Sequence, residues 1–273
     1  MTAEGSFDLP ILMYHHLEPD RTSPSPYNLT PDLFSAQLKI LQRRGFTTFS
    51  FQQLFAALDG KRTLPARAVV LTFDDGYADL AEYALPVLHR YGFGAAVYIV
   101  TRQLGGTNVW DAARGAPLSL ITAGQIRFWA SQGIDFGAHS RTHADLRDLP
   151  ARELSEEVVG SGKDLEAILG TKVVSFAYPY GFHNRAVDDC VRSAFDLAFI
   201  ADDENEGLNS LETDPHQLLR TMVQSSDSLL AMKFRSRWGR YPFLNLLSRI
   251  RVRIALRTRL RHAMGVAVHG NKR

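Results

Sequence analysis

The sequence predicts an α/β fold built around a parallel sheet, and three observations carry that expectation. Short apolar runs recur along the chain. Longer stretches with helical spacing separate them, the pattern of a sheet whose strands are joined by helical crossovers. The polar residues that stand out, His15 and His16, Asp74 and Asp75, His139 and His143, and Tyr180, all fall just past the C-terminal ends of these runs. In a parallel barrel or open sheet those ends converge on one face, where active sites of such folds sit.

Taken in order, 10–14 is a compact apolar run. The stretch 31–45 has helical spacing through Leu33, Phe34, Leu38 and Leu41, with Thr30 as N-cap and Gly45 as the stop. Phe46 to Ser50 reads as a strand and 51–58 as a short helix. The run 68–73 is strongly strand-like, 78–91 is helical up to Gly92, and 94–100 is a further buried strand. Residues 105–118, rich in Gly, Asn, Asp and Pro, read as a long loop. A helix over 122–132 precedes the strand 134–138, and a long helix over 150–169 stops at Gly170. Strands follow at 173–178 and 197–201, and Arg220 lies in a strand-like stretch, 218–223.

Composition sets the bounds. With 273 residues, 45% of them hydrophobic and 22% charged, the chain can bury a substantial core. The single cysteine, Cys190, excludes an intrachain disulfide and argues against a Cys-based metal site; in its helical context it reads as a small buried residue. No signal peptide is evident and no apolar run is long enough to span a bilayer, so the expected location is the cytosol or a membrane surface facing it.

The charge is unevenly placed. Of the 31 lysines and arginines, 12 follow Asp227, where no acidic residue stands; the other 19 face all 29 acidic residues, so the first 227 residues carry a net charge of −10. The expected organisation is a catalytic body over 1–227 and a basic extension over 228–273. Two readings of the extension stand side by side: an element that meets an anionic membrane surface, and a solvated helix packed on the body. Nucleic acid is not expected, because the body is acidic.

The chemistry lies at the strand ends. Asp74-Asp75-Gly76 alone reads as a turn, since Asp-Gly is a common turn pair. Adjacent residues leaving a strand point in different directions, so one carboxylate can bind a metal while the other faces an attacking water. His139 and His143 share a face if helical and can also converge across a tight loop. A carboxylate and two imidazoles suffice for a three-ligand divalent-metal site, and the second carboxylate can serve as a base.

Thr72-Phe73-Asp74-Asp75-Gly76-Tyr77, His139-Ser140-Arg141-Thr142-His143 and Phe176-Ala177-Tyr178-Pro179-Tyr180-Gly181 resemble the first three motifs of the polysaccharide deacetylases, carbohydrate esterase family four. The resemblance runs from about 11 to about 223. It implies a distorted (β/α) barrel with fewer than eight regular repeats, and removal of N-acetyl groups from amino sugars of a polysaccharide, oligosaccharide or lipid-linked glycan. It implies Asp75, His139 and His143 as ligands of a divalent metal, zinc by ligand chemistry with iron, cobalt or nickel also suited. Asp74 is then the general base, and the Tyr180 backbone N–H the oxyanion donor.

The chain departs from the family at two points. Ala177 stands where many members have an arginine that orients the base; Arg220 is the candidate replacement, a surface or structural role being its alternative. No late Leu-x-His motif follows 223. Instead Ile11-Leu12-Met13-Tyr14-His15-His16 resembles the permuted poly-N-acetylglucosamine deacetylases, which implies His15 as general acid, its pKa raised by a nearby carboxylate. His16 is the weaker candidate, since neighbours in a strand face opposite sides. His89, His183 and His216 read as surface or structural residues. Trp110 and Asp111 line the sugar site or, for Trp110, fill the core. The rival functions are hydrolysis of a non-sugar amide and a non-catalytic carbohydrate-binding module.

Overall fold

The structure, a computed structural model, describes residues 9–19, 25–112, 116–201 and 209–238, with side chains as far as Lys233. The strands are β1 (Ile11–Tyr14), the two-residue β2 (His16–Leu17) and β3 (Asn28–Leu29), β4 (Val70–Phe73), β5 (Ala96–Ile99), β6 (Asp135–Ala138), β7 (Ser175–Ala177), β8 (Leu197–Ala201) and β9 (Leu218–Met222). Seven of them close an all-parallel barrel in the order β1-β4-β5-β6-β7-β8-β9, and β9 returns to β1 through Leu12 opposite Thr221. The fold is a distorted (β/α) barrel with fewer than eight repeats.

Each strand divides its residues between two cores by simple alternation. Leu12, Leu71, Phe73, Val97, Ile99, Phe136, Phe176 and Ala198 face outward to the helices. Ile11, Val70, Ala96, Tyr98, Ala177, Leu197, Phe199 and Leu218 face the lumen. Helix α2 (Phe51–Leu58) plugs the lumen's N-terminal end: Phe51 stacks on Phe199 at 5.2 Å, and its N–H donates to Asp135 at 2.8 Å. Gly137 belongs to this packing, because a Cβ there would overlap the Tyr98 ring and Ser175 Oγ.

Helix α1 (Pro31–Arg43) starts at Thr30, whose side chain accepts from Leu33 N–H, and buries Phe34, Leu38 and Leu41. The remaining helices are α3 (Leu85–Tyr91), α4 (Ala123–Ser131), α5 (Ala151–Leu169), α6 (Arg185–Ala194) and α7 (Leu229–Trp238). Helix α7 packs against α1, with Ala231 and Met232 buried. The rest of the basic extension, 239–273, lies outside the described residues. Among the described residues no helix is long and apolar enough to cross a membrane.

The structure departs from sequence expectation in three places. Phe46 to Ser50 is not a barrel strand: Thr47 makes one isolated bridge to Ala68, and Ser50 caps α2. Both edges of β4 are already taken, by β1 and β5, so no ladder is open to it. The helix expected over 78–91 opens as a π-turn, Leu80–Ala84, before α3. Pro86 has no N–H to complete an α-helical ladder through this stretch. Cys190 is half-buried rather than buried.

Candidate functional site

Among the described residues four non-glycine positions have positive φ: Asp75 at 71°, Ser140 at 61°, His143 at 62° and Tyr180 at 60°. All four lie past the ends of β4, β6 and β7. Left-handed backbone is costly for residues with a Cβ and gathers where side chains must be aimed. After Asp75 and after Tyr180 the next residue is a glycine, also left-handed. A Cβ on Gly76 would meet Ile99 Cδ1 at 2.8 Å, and one on Gly181 would overlap the Ala201 carbonyl oxygen. These turns leave room only for glycine.

The turns bring Asp75, His139 and His143 together, with one donor atom from each lying within 4.8 Å of the others. Nε2 of His139 is 3.5 Å and Nε2 of His143 is 3.3 Å from Asp75 Oδ1. His139 and His143 converge across a tight loop, not along a helix, and Ser140 Oγ accepts from His143 N–H at 2.9 Å. His139 Nδ1 lies 2.7 Å from the Ala177 carbonyl, which assigns the proton to Nδ1 and leaves the Nε2 lone pair facing Asp75. Burial pushes the Asp75 carboxyl up, but the two imidazoles outweigh it and hold it well below the usual carboxylate range. Two imidazole nitrogens and a charged carboxylate oxygen converging at this spacing fit a divalent cation.

Asp74, next in the chain, turns the other way into the barrel mouth. Arg220 from β9 meets it with a two-pronged ion pair at 2.6 and 2.7 Å. Both groups are buried, and Arg220 is 1% exposed. Burial works against the charge on Asp74, but the guanidinium and neighbouring imidazoles outweigh it and keep its carboxyl below the ordinary range. Arg220 is thus a lumen residue bound to Asp74, not a surface arginine.

His15 sits between β1 and β2, stacked on Tyr27 at 4.8 Å. Its pKa is lowered: burial dominates, and the pull of Asp75 and Asp74 only partly restores it. A neighbouring carboxylate therefore does not raise it as expected. His16 also faces the cleft, because the strand breaks at His15 and alternation does not carry across the break. Its Nδ1 lies 3.7 Å from Asp79, and its ring lies 5.1 Å from that of Tyr77.

His15, His16, Asp74, Asp75, His139 and His143 line one cleft of about 820 Å³ together with Trp110, Asp111, Tyr180 and Phe182, while Arg220 lies behind Asp74 and does not line it. Trp110 stacks on His143. His183, Tyr77 and Asn108 are among the cleft residues that did not stand out as functional in the sequence. His183, read as surface or structural, lines it with Nδ1 3.1 Å from Asp188. Tyr77 and Asn108 line the cleft with Asp75, and burial together with the nearby Asp75 charge pushes the Tyr77 hydroxyl's pKa up. Tyr77 had a signal in its place directly after Asp-Asp-Gly. Asn108 had none, since its partners lie far away in the chain. His89 is exposed and His216 bonds the Phe195 carbonyl, apart from the cleft.

A closed parallel barrel with carboxylates and imidazoles gathered at the C-terminal ends of its strands defines the class of barrel proteins whose chemistry sits at that rim. Residues 61–195 match the family model described as polysaccharide deacetylase, and the chain carries a polysaccharide deacetylase domain. It is 27% identical over 176 residues to YxkH of Bacillus subtilis, covering 64% of this chain and 58% of that protein. It is 26% identical over 176 residues to the poly-beta-1,6-N-acetyl-D-glucosamine N-deacetylase of Staphylococcus epidermidis, covering 61% of this chain and 57% of the relative. The chain thus spans less than two thirds of the length of either. Among solved structures, the Streptococcus pyogenes deacetylase PplD in complex with acetate superposes with a TM-score of 0.71 at 25% identity, covering 82% of this chain and 96% of PplD. IcaB from Ammonifex degensii shares the fold, with a TM-score of 0.70 at 24% identity, 87% of this chain and 99% of IcaB being covered.

Proposed function

We propose that the protein is a metal-dependent hydrolase that removes N-acetyl groups from amino sugars of a glycan. The observation that carries this reading is the split of two adjacent carboxylates, Asp75 toward His139 and His143 and Asp74 toward Arg220. Asp75, His139 and His143 would hold a divalent ion, for which zinc is our first assignment. Bound there, the ion supplies a Lewis acid beside the acetamide carbonyl and acidifies water.

The chain's own residues do the rest. Asp74, kept anionic by Arg220, accepts the proton of the attacking water as its oxygen bonds to the acetyl carbon. Arg220 occupies both carboxylate oxygens and so sets the plane in which Asp74 can take that proton. The Tyr180 backbone N–H is assigned to the developing oxyanion. When the C–N bond breaks, the amine nitrogen takes a proton and acetate leaves. His15, facing both carboxylates, is assigned as the donor; burial lowers its pKa and leaves it neutral at rest, so the proton it passes to the amine is the one Asp74 took from water. The aromatic groups Tyr27, Trp110 and Tyr180 at the cleft suit the apolar faces of sugar rings.

The relative from S. epidermidis is named for a poly-N-acetylglucosamine, and a glycan of that chemistry is the proposed substrate class. The basic extension is assigned to an anionic membrane surface. The test of the reaction is acetate release from N-acetylglucosamine oligomers, with and without chelator. Asp74→Asn is expected to lower the rate by at least about a hundredfold, as loss of a general base does, and His15→Ala to lower it less. A purified protein free of metal, active with both substitutions in place, would sink the proposal.

A further inference from the structure

Resting on the metal-centre reading above, we infer that Trp110 is a positioning residue for His143, holding by ring stacking a metal ligand that no hydrogen bond orients. The two imidazoles of the cluster are held differently. His139 has its Nδ1 on the Ala177 carbonyl at 2.7 Å, which sets both tautomer and ring plane. His143 Nδ1 is buried and has no hydrogen-bond partner. No polar bond therefore resists rotation of its ring about Cβ–Cγ.

Aromatic surface takes that place. The Trp110 ring lies 4.7 Å from the His143 ring at an interplanar angle of 21°, a stacked pair. Tyr180 meets the same imidazole edge-on at 4.4 Å and 76°, and His139 does so at 4.9 Å and 67°. With an indole parallel to its face, the His143 ring cannot turn out of plane without driving an edge into Trp110. The stacking thus keeps Nε2 facing Asp75, the role a carbonyl or carboxylate plays for most metal-bound histidines.

Trp110 is itself anchored to the site. It sits in the short turn Val109–Asp111. Asn108 N–H donates to the Leu118 carbonyl at 3.1 Å, and Leu118 N–H returns a bond to Asn108 Oδ1 at 2.7 Å. The far side of this loop is bonded to the segment that leaves β4 directly after Asp75: Ile121 N–H donates to Gly76 O at 2.8 Å, and Ala78 N–H donates to Ser119 O at 2.9 Å. One hydrogen-bonded frame therefore carries the carboxylate ligand and the residue stacked on an imidazole ligand. The indole Nε1 is buried with no acceptor, so packing alone holds the ring in this place.

The test titrates metal-free, full-length wild type, Trp110→Phe and Trp110→Ala with Zn²⁺ against a competing chelator. Trp110→Ala is expected to bind about tenfold more weakly, the scale of losing a group that orients a ligand. Trp110→Phe, which keeps a stacking face, is expected to stay within about threefold of wild type. A second readout is quenching of tryptophan emission by Co²⁺, expected in wild type and largely lost in Trp110→Phe. Wild-type affinity in Trp110→Ala, equal weakening by Phe and Ala, or undiminished quenching in Trp110→Phe overturns the inference. A wild type that binds neither ion overturns the metal-centre reading along with it.

Discussion

At the scale of single residues, the pair with most at stake is Asp74 and Arg220. Each is buried, and neither charge has water to fall back on. Removing one partner from such a pair leaves an uncompensated charge, which costs about 3–5 kcal/mol, whereas replacing both can be close to neutral. Arg220→Met should therefore lower the unfolding free energy by about that amount in urea titration. The double variant with Asp74→Asn should recover most of the loss while remaining inactive. Additive losses would show that the two residues are not coupled in the folded protein. The pair also shows what the sequence does and does not disclose. The two residues stand 146 positions apart, and only the presence of Ala177 where an arginine would serve pointed to a substitute elsewhere. The pairing became visible when barrel closure placed β9 beside β1, one strand from β4.

At the scale of elements, what could be read was what depends on local pattern: apolar runs, caps at Thr30 and Gly170, and polar residues at strand ends. What could not be read depends on competition between elements, as at 46–50, where β4 had no free edge, and at the π-turn before Pro86. That π-turn bears on a pair outside the proposed mechanism, of which His16 is buried and Asp79 half-buried. Asp79 immediately precedes it and faces His16 in β2. Burial raises the Asp79 carboxyl from 3.8 to about 7 and lowers His16 from 6.5 to about 4. For Asp79, between pH 3.8 and about 7 the folded state holds a proton that the unfolded state has lost, so stability falls as pH rises through that window. For His16, between about 4 and 6.5 the unfolded state binds the extra proton, so stability rises with pH. The two slopes oppose each other over most of the range. Asp79→Asn removes only the first. The variant should gain on wild type steadily from about pH 4 to about pH 7, by at most about 4 kcal/mol, then run parallel to it. Denaturant unfolding on either side of that window measures this. A constant difference between the two proteins would show that Asp79 ionises normally in the fold.

At the scale of the whole molecule, charge is divided along the chain: a body of net −10 before residue 228 and 12 basic residues without an acidic one after it. The division by charge is not the division by packing. Helix α7 lies on α1 with Met232 buried, and Arg44 donates to the Lys233 carbonyl at 2.7 Å, so the first turns beyond 227 belong to the barrel's outer layer. A truncation after Asp227 would strip this packing and confuse loss of membrane contact with loss of fold. Removing 240–273 instead keeps α7 and takes away nine of the 12 basic residues. Interleaved arginines and aliphatics suit an anionic lipid surface, at about 1 kcal/mol for each basic residue near it. The full chain should therefore sediment with phosphatidylserine-containing vesicles, much less with neutral ones, and come off as salt rises toward about 0.5 M, where the Debye length falls to a few ångströms. The truncated chain should stay in the supernatant while releasing acetate from short soluble oligomers at an unchanged rate. That pairing separates a surface-seeking extension from a structural one: a truncated protein that sediments as before removes the membrane role, and one that loses acetate release on soluble substrate makes the extension part of the catalytic body.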